Sequence, residues 1–133
     1  MIEYLLDTNI CIYIIKRKPV SVFDRFKNLV PGSVGLSSIT LAEMQYGIAK
    51  SSKPVQNQKA LDQFLLPLEI MDFNSAAAIE YGKIRALLEM QGTPIGSMDM
   101  LIAAHAKNLG AILVTNNVKE FDRVLDLNVE NWV

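Results

Sequence analysis

Apolar residues in this chain fall into short dense runs, separated by longer stretches in which they recur every three or four positions. The dense runs, residues 2–6, 34–37, 69–73 and 111–115 with a weaker one at 129–132, predict strands. The stretches between predict helices over 10–17, 19–29, 41–50, 55–66, 75–91 and 98–109, and a helical turn at 119–123. The punctuation agrees. Pro31-Gly32 stops one helix, Asn74 is a natural cap for 75–91, and Gly92 and Gly110 follow two helices where a left-handed residue is favoured. Regular alternation of strand and helix predicts an α/β fold with a parallel sheet covered on both faces. At 133 residues the chain fits one domain, 1–133, with a core of its own.

Half of the residues are hydrophobic and a fifth charged, as in a globular domain. No apolar run approaches the roughly 18 residues that cross a bilayer, so no membrane role is expected. The amino terminus shows neither a basic segment nor a small-residue cleavage site, so a signal peptide is not expected. Cys11 is the only cysteine and lies in an apolar run, which predicts a core thiol and a reducing cytoplasm. The net charge of −1 argues weakly against a nucleic-acid partner. Setting aside Asp7, Glu43 and Asp99, however, leaves 13 basic against 11 acidic residues. The basic run Lys16-Arg17-Lys18 reads equally as a solvated helix end favoured by the macrodipole.

Asp7 ends the first strand and precedes Thr8-Asn9 and a second apolar stretch. A carboxylate there is costly unless something positive meets it, and the carboxyl end of a parallel strand is where open α/β sheets place ligands. It is either a metal ligand or an acid accepting backbone N–H bonds from the next helix. Glu43 closes Thr40-Leu41-Ala42-Glu43, the pattern of a capping box in which Thr40 caps the helix and Glu43 reaches back; the same carboxylate would also face the loops above the sheet. Asp99 lies in the first turn of its helix, on one stripe with Ile102, Ala103 and Ala106, a small apolar face that packs closely and holds the acid in place. Polar residues also cluster after the fourth strand at Thr115, Asn116 and Asn117, then Glu120 and Asp122. Asn is equally a turn former there.

His105 falls off the Asp99 stripe by about 120° and reads as a core or surface side chain. One His and one Cys make an imidazole or thiolate zinc site improbable, and there is no Walker loop, GxGxxG, Ser-His-Asp or Cys-His arrangement. Oxygen-only ligation remains, which suits Mg2+ or Mn2+.

Leu5-Leu6-Asp7-Thr8-Asn9-Ile10, Ser38-Ile39-Thr40-Leu41-Ala42-Glu43, Pro94-Ile95-Gly96-Ser97-Met98-Asp99 with Ile102-Ala103-Ala104-His105-Ala106, and Val114-Thr115-Asn116-Asn117 with Glu120-Phe121 resemble, in order and spacing, the signature blocks of PIN-domain ribonucleases. The closest resemblance is to the VapC toxins of bacterial toxin–antitoxin pairs. It implies a three-layer α/β/α domain with a parallel sheet of order 3-2-1-4-5 and Mg2+-dependent endonuclease activity on RNA, with initiator tRNA cut in the anticodon stem-loop. Asp7, Glu43 and Asp99 fall on the family's metal ligands, Thr8 and Thr115 on polar positions lining the site, and Ser38 on a weaker match. Where many PIN domains carry a fourth acid near Asn117 this chain has an amide, with Glu120 and Asp122 as possible substitutes. The resemblance also implies a homodimer and a VapB-type antitoxin whose tail covers the active site, with operator DNA bound through that antitoxin alone. Met90, Met98 and Met100 are candidates either for the core or for contact with a partner peptide.

The resulting expectation is a toxin ribonuclease in which Asp7, Glu43 and Asp99 hold Mg2+ and water attacks an RNA phosphodiester to leave a 5′-phosphate and a 3′-hydroxyl. Two rivals stand beside it: an aspartyl-nucleophile phosphatase or phosphotransferase acting through Asp7, and a non-catalytic metal-binding module with an acidic pocket.

Overall fold

The computed structural model describes all of residues 1–133. In chain order its elements are β1 (Tyr4–Leu6), α1 (Thr8–Lys16), α2 (Val20–Lys27), β2 (Val34–Ser37), α3 (Ser38–Ala49), α4 (Pro54–Leu65), β3 (Glu69–Met71), α5 (Ser75–Met90), α6 (Ser97–Leu109), β4 (Ile112–Val114), α7 (Val118–Phe121) and β5 (Val129–Glu130). All five strands are parallel, in the order β3-β2-β1-β4-β5. The expected strands are all present; β2 has its expected length and the other four are shorter by two residues, because pairing covers only part of each apolar run.

Alternation along the strands sorts the core into two halves. Leu5 and Leu113 face one side of the sheet and pack with Ile84 and Leu88 of α5 and with Ile102, Ala103 and Ala106 of α6. Tyr4, Leu6 and Val114 face the other and meet Ile10, Cys11 and Ile14 of α1, Val22 of α2, Met44 of α3, and Leu61 and Phe64 of α4. The three layers follow from that division. Cys11 is fully buried. Gly35 is required where β2 runs beside β3, since a Cβ there would lie 2.7 Å from the Glu69 carbonyl oxygen.

The ends of the helices carry the caps the sequence predicts, with one exception. Asn74 accepts from the Ala77 amide at 3.0 Å, and Gly92 and Gly110 take left-handed φ values of 70° and 67°. Thr40, by contrast, does not cap α3. β2 passes into the helix with no linker, so the last residue of the strand, Ser37, takes the cap and accepts from the Ile39 amide at 3.0 Å. Thr40 is left inside the first turn, buried, its hydroxyl without a hydrogen-bond partner. No helix is long and apolar enough to cross a membrane.

The order of the strands reverses direction between β1 and β4: the chain leaves β1 for β2 and β3 on one side and reaches β4 and β5 on the other. Above the carboxyl ends of these two strands the connections diverge and leave a crevice. Asp7 and Thr115 are the residues immediately after them, and the Asp7 amide donates to the Val114 carbonyl at 2.9 Å.

Candidate active site

Asp7 is 5 % exposed, at the N-cap of α1. Its Oδ1 accepts from the Thr8 amide and its Oδ2 from the Thr115 hydroxyl, both at 2.8 Å. Burial raises the carboxyl's pKa above the ordinary value, and these two bonds oppose the rise. Glu43 does not fold back on its own helix as a capping box would require. Its Oε1 accepts from the Thr8 hydroxyl at 2.9 Å, which ties α3 to α1. On the other side, Thr115 Oγ1 accepts from the Asn117 amide at 3.0 Å, and the Asn117 side-chain amide donates to Glu120 Oε2 at 3.1 Å. Asp99 lies close enough to Glu120 to feel its charge.

Six of the seven selected polar residues, from three separate stretches of sequence, therefore form one continuous hydrogen-bonded chain, Glu43, Thr8, Asp7, Thr115, Asn117 and Glu120, and Asp99, from a fourth stretch, stands beside it within the fields of Asp7, Glu120 and Glu43. Ser38 stands outside it, accepting instead from the Phe73 amide at 3.1 Å. Asp122 is exposed and caps the short α7.

Electrostatically the cleft is one-sided. Asp99, half-buried at the start of α6, has its pKa pushed up to about 6, first by burial, then by the charges of Asp7, Glu120 and Glu43. None of the five ion pairs in the molecule involves any of these four acids. Carboxylates gathered without a basic partner, with hydroxyls and an amide as their only hydrogen-bond donors, are a donor set that fits a hard divalent cation. As the side chains stand, no three acids are placed to hold one ion; the fit lies in charge and donor chemistry, and chelation would require side-chain rotation, which the long Glu43 and Glu120 permit. His105 lies apart from the acids, buried, with its pKa lowered by burial and its ring therefore neutral near pH 7.

A cavity of about 350 Å³ opens from the acid cleft at Thr8 and Glu43 and runs between α1, α3 and α4 along Ile12, Ile15, Met44 and Ile48. No local pattern marks this groove, because its walls come from three different helices. Gly47, one turn after Glu43, was the available signal, since a missing side chain leaves room there. Of the three methionines considered for a partner surface, Met100 is buried, while Met90 and Met98 are 81 % and 39 % exposed.

Residues 4–126 match the PIN domain family. A tRNA(fMet)-specific endonuclease VapC from Shigella flexneri is 47 % identical over 132 residues, covering 99 % of each chain. Two solved structures superpose over the full length of both chains: DNA-bound VapBC from Salmonella typhimurium, with a TM-score of 0.94 and 44 % identity, and VapBC2 from Rickettsia felis bound to a promoter DNA fragment, with 0.90 and 47 %. The chain belongs to the PIN-domain family and, within it, to the VapC ribonucleases.

Proposed function

We propose that this chain is the toxin of a type II toxin–antitoxin pair, an endoribonuclease that uses a divalent cation, Mg2+ or Mn2+, to hydrolyse initiator tRNA in the anticodon stem-loop and so stop translation. The observation that carries the reading is the gathering of Asp7, Glu43, Asp99 and Glu120 at the sheet's switch point with no basic partner, three of them joined by hydrogen bonds through Thr8, Thr115 and Asn117 and the fourth, Asp99, raised in pKa by their charges. Asp7, Glu43 and Asp99 would hold the cation, with Glu120 in place of the amide-substituted fourth acid. When bound, such an ion lowers the pKa of a water and stabilises charge on phosphate oxygens.

The protein's own contribution is placement. Thr8 and Thr115 fix the Asp7 carboxylate by both oxygens, and Thr8 also orients Glu43. Basic residues outside the cleft, such as Lys16 at the mouth of the groove, position the RNA backbone by phosphate contacts. The groove leading from Thr8 and Glu43 is suited to an antitoxin's apolar tail, which would close the cleft. Relatives solved as VapBC complexes on DNA support a VapB-type antitoxin as the partner and operator binding through it; the toxin itself would be a homodimer. The aspartyl-nucleophile alternative is disfavoured by the surroundings of Asp7, which forms no ion pair with a Lys.

The test is cleavage of purified initiator and elongator tRNAs by the antitoxin-free chain, with Mg2+ and with EDTA. Cleavage should require the metal and favour the initiator. Asp7→Asn should lower it at least about 100-fold, since several kcal/mol of charge stabilisation are at stake. Wild-type rates from Asp7→Asn, or intact RNA throughout, would refute the reading.

A further inference from the structure

His105 takes no part in the acid chain, yet it is the most buried ionisable ring in the molecule, 1 % exposed, and it is bonded to another element. Its Nδ1 and Ser37 Oγ are 2.7 Å apart and share one hydrogen bond, whose direction is set by the ring's tautomer. Ser37 is at the same time the N-cap of α3, accepting from the Ile39 amide. The edge of Phe73 packs against the imidazole, ring centres 5.4 Å apart, and the Phe73 amide is itself bonded to Ser38. Three elements meet at this clasp: α6, the start of α3 and the end of β3.

Two of the three carry candidate metal ligands. Asp99 stands six residues before His105 on α6, and Glu43 six residues after Ser37 on α3, so each carboxylate lies about 9 Å along its helix from the shared hydrogen bond. The other buried residues of α6 are Met100, Ile102, Ala103, Ala104 and Ala106, three of the five being alanine. Such a face permits close approach but offers little interlocking to fix rotation about the helix axis. A rotation of only about 10° carries a side-chain tip some 1 Å, given a helix radius near 6 Å. Displacements of that size at a reacting centre are worth up to about a hundredfold in rate. A buried, directional bond is the feature that resists it.

We infer that His105 is a positioning residue: through Ser37 it locks the rotation of α6 against the start of α3 and so sets the spacing of Asp99 and Glu43. This inference rests on the proposed function only in assigning those two acids to a cation.

The test uses the full chain free of metal, with folding checked by circular dichroism and thermal unfolding. Mn2+ binding is read by electron paramagnetic resonance and tRNA cleavage by kcat and KM. His105→Phe keeps a ring and removes the bond to Ser37. It should weaken Mn2+ binding and lower kcat by about tenfold or more while leaving KM for RNA unchanged. His105→Asn, whose carbonyl oxygen can accept from Ser37, should recover most of both. A His105→Phe protein that melts earlier yet binds Mn2+ and turns over like wild type, per folded molecule, would overturn the inference and leave the histidine purely structural. If His105→Phe does not fold, Ser37→Ala is read by the same criteria: weakened Mn2+ binding supports the lock, and unchanged binding overturns it. A wild-type chain that binds Mn2+ but cuts no tRNA would sink the proposed function alone, and the Mn2+ comparison would still decide the role of His105.

Discussion

Asp99→Asn should make the metal-free protein more stable at neutral pH while disabling it. The Asp99 carboxyl is moved from its ordinary 3.8 to about 6 by burial and by three neighbouring acids. Fully shielded, that difference corresponds to about 3 kcal/mol. Asp99 is only half-buried, so water screens much of it and roughly 1–1.5 kcal/mol is the working value. Losing a carboxylate from the first turn of α6 returns about 0.5 kcal/mol. The net gain at pH 7 is therefore about 0.5–1 kcal/mol, or close to 3 °C in Tm for a chain of this size. The sign follows from linkage: the folded pKa is raised, so the folded state binds the proton more tightly, and stability falls as pH rises from about 4 to about 6. The advantage of Asp99→Asn should thus be full above pH 6 and shrink on acidification to pH 5. Thermal unfolding in EDTA at pH 5 and pH 7 measures it. Mg2+ should then raise the Tm of the wild type and not of the variant. A variant no more stable than wild type at pH 7, or a difference that does not change with pH, would refute the reasoning.

Two further outcomes test the frame that carries the site. Gly35→Ala should cost about 2–3 kcal/mol, because the added carbon meets the Glu69 carbonyl oxygen at 2.7 Å and a paired backbone atom cannot yield; a fall in Tm on the order of 10 °C is expected. Cys11 is fully buried, with its thiol pushed up by burial and by the charge of Asp7, so a thiol reagent should leave the native protein untouched and modify it only at the rate of unfolding, in urea as in water.

Much of this was legible in the chain because two patterns run through it. The dense apolar run around Leu5 marks a strand buried on both faces and the helical spacing of Ile102, Ala103 and Ala106 marks the face that meets it, and the glycines at 92 and 110 end helices for a reason local to φ. The candidate acids were visible because charge at the end of an apolar run is costly wherever it occurs. Their mutual arrangement was not. Thr40 looked like the cap because Glu43 follows it by three, but Ser37, Ser38 and Thr40 all offer hydroxyls, and where β2 ends decides among them. That ending is set by pairing with β1 and β3, which no local window contains. The bond from Thr8 to Glu43 spans 35 positions and that from Thr115 to Asp7 spans 108. Such contacts exist only after the sheet has ordered its strands.

The same arrangement dictates how a cation must behave there. Any positive occupant that relieves the repulsion around Asp99 lowers that group's affinity for a proton, and the proton must weaken the occupant by the same factor. Divalent-metal binding should therefore release close to one proton at pH 5, where Asp99 is largely protonated, and essentially none at pH 8. The apparent metal affinity should rise by up to about tenfold per pH unit below 6 and level off above it. Calorimetric titration with Mg2+ in two buffers of different ionisation heat reads the proton count directly. In Asp99→Asn the release at pH 5 should fall sharply. Equal proton release at pH 5 and pH 8 would mean that the ion does not meet these carboxylates, since no rearrangement of neutral hydroxyls can mimic the displacement of a proton from an acid.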